Sequence, residues 1–191
     1  CRRGGASDLI EKLSEHPELS WVQESLTGEF RQAAHTLNVL ANEEVELVKR
    51  KKNKLSLSKL ALLCSDDPED EIREVCERIN SELDLIAHQE DLPDDVLETY
   101  GYDTQKLRVL KPIELINFYT CEEYQMADEY EFKKALDLLD YIQDADDKKA
   151  LKLRIWARAA KKGNWDVVTQ NPEVQIQSTL FFKLMNVSHT F

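Results

Sequence analysis

The apolar residues Ile72, Val75, Cys76, Ile79, Leu83 and Ile86 recur at intervals of three and four, with Glu, Arg and Asp between them. That spacing puts them on one side of a helix turning roughly 100° per residue and leaves the other side to water. Phe30, Ala33, Ala34, Leu37, Leu40 and Ala41 repeat the pattern upstream, and Leu151, Ile155 and Ala159 repeat it downstream. A chain patterned this way over most of its length has few ways to fold except by stacking helices. With only five glycines and five prolines in 191 residues, it also lacks the turn residues that many short strands need. The fold class read from the sequence is all-α, an irregular, solenoid-like stack.

Prolines and polar clusters divide the pattern. Ser7 is a candidate cap for a first short helix, "DLIEKLSEH"; Pro17 opens a second over "PELSWVQESL", and Thr27 is expected to cap the third. After "CSDDPED", Ser65 or Asp66 is the candidate cap of the next helix. The acidic stretch "HQEDLPDD" reads as a connection between two modules, over residues 7–90 and 94–191. In the second module "DDVLETYGYDTQKLRVLKP" reads as irregular turns and Pro112 opens a helix. "EYEFKKALDLLDYIQD" is expected to bury Phe132, Ala135, Leu136, Leu139 and Ile142, and Gly163 to close the helix after it. The last helix, "EVQIQSTLFFKLMNV", is expected to expose Phe181, Phe182 and Leu184.

Charge and chemistry narrow the function. Lys and Arg total 25 against 37 Asp and Glu, a net charge of −12, which repels a phosphate backbone and argues against nucleic acid as a partner. No apolar run reaches the roughly 18 residues of a membrane span. The four cysteines, Cys1, Cys64, Cys76 and Cys121, form no C-x-x-C pair, and His16, His35, His88 and His189 form no H-E-x-x-H. The acidic pairs Asp66–Asp67, Glu122–Glu123 and Asp146–Asp147 sit where helix starts and solvated turns already favour negative charge. No enzyme activity, cofactor or metal site is therefore expected. The opening "CRRGGASDL" lacks an initiator Met and reads as a fragment.

One stretch does not fit a single-stripe helix. In "KRKKNKLSLSKLALL", residues 49–63, a helix over 54–64 places Leu55 and Leu62 on one side with Leu63 near them. Leu57, Leu60 and Cys64 fall on the opposite side. Either the helix is sandwiched within its own domain or the second face meets a partner. The basic run before it reads as a solvated helix face, as an import or lipid-binding patch, or as the rim of an interface.

"TCEEYQMADEYEFKKALDLLDYI", residues 120–142, is similar to the nucleoporin 133 family of nuclear-pore scaffold proteins. "LSWVQESL", "KRKKNKLSLSKLALLCSDDPED", "LIAHQEDLP" and "KGNWDVV" resemble that family's C-terminal helical domain in the same order, so the likeness covers nearly all of residues 7–182. The resemblance implies a noncatalytic, solenoid-like domain at the nuclear envelope, within the Y-shaped coat of the pore complex, serving mRNA export and protein import. It implies tail-to-tail docking on the C-terminal domain of nucleoporin 107, with the other coat subunits as indirect partners. Carried over position by position, it assigns Leu57 and Leu60 to the partner surface and Leu55, Leu62 and Leu63 to the domain's own core. Lys59 on the flank, with Lys51, Lys52 and Lys54, would form the polar rim, and Cys64 shares the leucine face. The family's domain continues with further helices beyond "MNVSHTF", so the second module is expected to be truncated. A helical adaptor or stalk of a vesicle-coat-like complex is the alternative, because such proteins stack helices in the same way.

Overall fold

The computed structural model describes residues 16–163, 165 and 176–188. Among them the ordered elements are helices: α1 (Ser20–Thr27), α2 (Phe30–Asn42), α3 (Val48–Leu63), α4 (Glu69–Glu90), α5 (Asp94–Thr99), α6 (Pro112–Tyr119), α7 (Glu129–Asp137), α8 (Ala145–Lys162) and α9 (Leu180–Ser188). Short 3-10 turns stand at Pro17–Leu19, Thr104–Lys106, Leu138–Tyr141 and Ile176–Ser178. The all-α reading holds. The helix expected after Ser7 lies outside the described residues, as do most of the loop after Gly163 and the first residues of the last predicted helix.

The helices gather into two compact units. One reaches to Ala87 and includes Lys106–Val109; the other comprises His88–Gln105 and the chain from Leu110 onward. In the first, α2 packs closely on α3 because the facing positions are small: Ala33, Ala34, Ala41 and Ser58 are all buried. Ala41, Val48, Leu55, Ile79 and Ile86 form one apolar cluster, with Val75, Leu83, Leu107 and Val109 half-buried against it. The last two belong to an extended segment, which is held where Val48 N–H donates to the Leu107 carbonyl (3.0 Å) and Val109 N–H to the Val45 carbonyl (3.1 Å). Burying a row of branched side chains at roughly 1.5–3 kcal/mol each is what offsets the entropy of ordering this unit.

In the second unit α7 packs on α6 and α9, and α9 also packs on α8. Phe132 and Ala135 from α7, Leu138 and Leu139 from the following turn, Leu151, Ile155 and Ala159 from α8, and Leu184 from α9 are buried. α7 starts on a reciprocal cap. The Asp128 carboxylate accepts from Tyr130 N–H (2.8 Å) while the Glu131 carboxylate accepts from Asp128 N–H (3.2 Å). Tyr119, fully buried, donates its hydroxyl to the His88 carbonyl at 2.6 Å, and burial first, then nearby carboxylates, push its ionisation up.

Several expectations change. Thr27 does not cap α2; its hydroxyl donates back to the Gln23 and Glu24 carbonyls, and α1 is closed by Gly28 in the left-handed region, φ 83°. Glu29 precedes α2 without a side-chain cap. Ser65 likewise turns back, placing its hydroxyl 2.7 Å from the Leu62 carbonyl at the end of α3. Within "HQEDLPDD", α4 continues to Glu90, Leu92 is buried, and the buried Gln89 carboxamide oxygen accepts from Leu110 N–H at 2.9 Å. "DDVLETY" begins with a regular turn of helix, α5, rather than irregular chain. After Asp137 the chain tightens into a 3-10 turn, which rotates Leu138 into the core and leaves Leu136 and Ile142 half-buried. Gly163 closes α8 with φ −68°, so no left-handed cap is involved; a Cβ there would come within 3.2 Å of Trp165 Nε1, which donates to the Ala160 carbonyl. Leu184 is buried rather than exposed, and Phe181 and Phe182 are half-buried, Phe181 meeting Trp156 edge-on at 5.3 Å between ring centres.

Candidate docking surface

α3 starts at Val48, earlier than a helix over 54–64, so the basic run is helical. Its start is organised by a carboxylate from outside the helix. Glu44, only 7% exposed, accepts from Leu47 N–H at 3.2 Å and from the Lys54 ammonium at 3.0 Å, with Arg50 at 3.7 Å. Burial by itself would push the Glu44 carboxyl up, but Lys54, the Leu47 N–H and Arg50 together outweigh it, and the group titrates below the usual carboxylate range. Lys54 also donates to the Leu40 carbonyl at 3.1 Å. Lys51 pairs with Glu82 at 2.7 Å, and Lys59 donates to Asn80 Oδ1 at 2.7 Å. Three of the lysines in this stretch thus fasten α3 to α4 and to the end of α2. Lys52 is half-buried, and Lys49 and Arg50 are exposed.

The inner stripe of α3 is Val48, Leu55, Ser58 and Leu62, all buried. Ser58 satisfies its hydroxyl by donating to the Ala34 carbonyl at 2.7 Å, which lets a polar side chain sit where α2 comes nearest. On the outer side Leu57 is 39% and Leu60 59% exposed, and the Cys64 thiol is exposed and free. Leu63, expected in the core, is 57% exposed. At 100° per residue it lies about 80° from Leu55 and 60° from Leu60, so a helix cylinder alone does not decide its side; as the last helical residue it has no further turn over it. The outward apolar set is therefore Leu57, Leu60 and Leu63, at spacings of three, beside Cys64. The sequence reading missed two positions. Leu63 carried an ambiguous angle, whereas Ser58 was legible from its spacing of three from Leu55 and four from Leu62.

The chemistry of this surface is apolar contact with a charged margin. Among the described residues no three His, Cys, Asp or Glu side chains converge as metal ligands, and no helix is long and apolar enough to cross a membrane. Other exposed apolar residues, such as Leu26 in α1 and Leu153 in α8, lie on other helices. Scattered singles of that kind are ordinary on a protein surface, whereas three leucines on one helix face opposite a buried stripe are not.

The chain is 38% identical over 187 residues to "Nuclear pore complex protein Nup133" of Drosophila melanogaster, covering 97% of this chain and 15% of that protein. It is 41% identical over 159 residues to the protein of the same name from Homo sapiens, covering 82% of this chain and 14% of the relative. The chain thus spans about a seventh of the length of the relatives it matches. Residues 9–118 match the family model described as non-repetitive/WGA-negative nucleoporin C-terminal, a span that contains α3 and both of its faces. The chain belongs to the non-repetitive/WGA-negative nucleoporin C-terminal family.

Proposed function

We propose that this chain is a structural part of the nuclear pore complex scaffold, and that it docks the C-terminal domain of nucleoporin 107 through the outer face of α3. The observation that carries the reading is the pairing of two stripes on one helix. Leu55 and Leu62 are buried in the chain's own unit while Leu57, Leu60 and Leu63 face outward, in a member of a nucleoporin family. The names of the relatives support the location, at the nuclear pore. The action is noncatalytic: desolvated leucines supply affinity, the charged margin of Lys49, Arg50 and Lys52 orients the partner, and pore assembly, mRNA export and protein import depend on the joint.

Leu60→Lys tests this directly. A charge among buried leucines is expected to cost roughly 2–4 kcal/mol of binding while leaving the fold alone, because Leu60 makes no part of the core cluster. Calorimetric titration of both chains with the nucleoporin 107 domain, after matching thermal melts, decides it. If the wild type fails to bind, nucleoporin 107 is not the partner of this face and the docking reading falls, while the family membership stands. The same proposal treats residues 7–90 as the docking module and 94–191 as a second one. A chain ending at Leu110 keeps the 106–109 segment that bonds to Val45 and Val48, and it is expected to bind like the whole chain. Loss of binding on that shortening would count against an independent docking module.

A further inference from the structure

We propose that the cavity between the end of α6 and the last turns of α8 binds a single phosphate group. Thr120, Cys121 and Glu122, which follow α6, line it together with Arg158, Lys161 and Lys162 of α8. It holds about 150 Å³, below the roughly 300–1,000 Å³ of pockets for organic ligands and enough for one tetrahedral oxyanion. What points to an anion is a missing counter-ion. Carboxylates are plentiful in this chain, and the half-buried lysines elsewhere take them: Lys51 pairs with Glu82, Lys54 with Glu44, Lys133 with Asp137, Lys134 with Asp91 and Lys148 with Asp140. Arg158 and Lys162 are also half-buried, yet they touch neutral groups. Arg158 donates from Nη1 to Asn117 Oδ1 at 3.1 Å and Thr120 Oγ1 at 2.7 Å, and Lys162 donates to the Tyr124 carbonyl at 2.5 Å. Lys59, on Asn80 in the first unit, is a further exception, but Arg158 and Lys162 face one cavity together. Taking a cation out of water without a counter-ion costs free energy that a bound anion recovers.

Fastening α8 to α6 occupies only Nη1 of Arg158. Nη2 and Nε keep their donors, in a planar fork that fits two oxygens of one phosphate. Burial holds the Lys162 ammonium below its ordinary range, outweighing what Cys121, Glu131 and Asp128 give back. Lys161 is paired with Glu122, but both side chains are exposed and such pairs are weak, so its ammonium can turn to the anion. Glu122 and the carbonyl ends of α6 and α8 oppose an anion, by about one charge and about half a charge each; the three cations outweigh them. The neighbouring Glu123 is engaged elsewhere, accepting from the Tyr100 hydroxyl at 2.5 Å. The net charge of −12 repels a long phosphate backbone, whereas a single phosphate in a concave site feels chiefly the charges within a Debye length.

The test titrates the whole isotope-labelled chain with sodium phosphate against sodium chloride at equal ionic strength, near neutral pH, following the Thr120 and Cys121 amides and Arg158 Nε–H by NMR. Saturable shifts at all three, half-complete near about 1 mM, are expected with phosphate alone. Arg158→Gln is expected to weaken binding roughly tenfold, and Glu122→Gln to tighten it about threefold by freeing Lys161. Arg154→Gln, at an exposed position on the same helix, should leave it within about twofold. Since Arg158→Gln also cuts the bonds to Asn117 and Thr120, Arg158→Lys serves as the second variant, keeping the charge and losing the fork. Weaker phosphate binding with an unchanged melt supports the site; unchanged binding overturns it. Shifts that fail to saturate, or that survive Arg158→Gln, mean an adventitious ion only and overturn the proposal. A second titration with N-acetyl phosphoserine amide separates the sources. Tighter binding than phosphate assigns the site to a phosphorylated segment of a partner, and equal or weaker binding assigns it to free phosphate.

Discussion

Helices α3 and α8 are alike in length, 16 and 18 residues, and both are rich in Lys and Arg. α8 buries one stripe, Leu151, Ile155 and Ala159, and exposes a lone leucine, Leu153. α3 buries its own stripe, Val48, Leu55, Ser58 and Leu62, and then repeats leucine on the outside three times. A helix needs one apolar face to join its domain, and a second regular face is a surplus that folding does not explain. Lys51, Lys54 and Lys59 of α3 reach Glu82, Glu44 and Asn80 in their own unit, as Lys148, Arg158 and Lys162 of α8 reach Asp140, Asn117 and the Tyr124 carbonyl in theirs, so both helices are fastened and the outer leucines are what sets α3 apart. α3 is therefore held in place firmly enough to present its outer face as a fixed shape.

Five substitutions test that contrast. The largest loss belongs to the inner stripes. Leu55→Ala and Ile155→Ala, both at fully buried positions, are each expected to cost about 3 kcal/mol in urea titration, since each leaves a cavity in its own unit. If either were neutral, that stripe would not be core. Next comes Leu60→Lys, with its loss of binding and a stability change within about 0.5 kcal/mol; an unfolded variant would make the outer face part of the core and erase the distinction from α8.

Glu44→Gln is expected to cost about 1–2 kcal/mol, because it weakens the hydrogen bonds that fasten the start of α3, Lys54 remaining partly solvated. Its pH dependence has a fixed sign. The Glu44 carboxyl titrates below its usual range in the folded chain, so its contribution is complete above the unfolded value of about 4.3 and is lost as the pH falls through the lower folded value. Melts of the wild type and Gln variant should differ most at neutral pH and converge in acid. The smallest effect is Leu153→Lys in α8, expected to change stability by less than about 0.5 kcal/mol and to leave binding as it was. A clear loss of binding there would move the docking surface to the other unit.

The helical class, the stripe of α4, the buried set Leu151, Ile155 and Ala159 of α8, and the opposition of Leu55 and Leu62 to Leu57 and Leu60 are all legible in the sequence. All of these follow from the 3.6-residue period, which one chain segment dictates locally. The tertiary structure decided what periodicity leaves at the margin of a face or at the end of a helix. It exposed Leu63, tightened the turn that buries Leu138, covered Leu184, and gave the closing of α1 to Gly28 rather than leaving Thr27 to start α2. It also turned the lysines of a basic run toward Glu44, Glu82 and Asn80, acceptors at least 10 residues away along the chain. The physical reason is the same in each case: a residue's angle on its own helix is local, but whether a neighbour stands there depends on segments that only folding brings together.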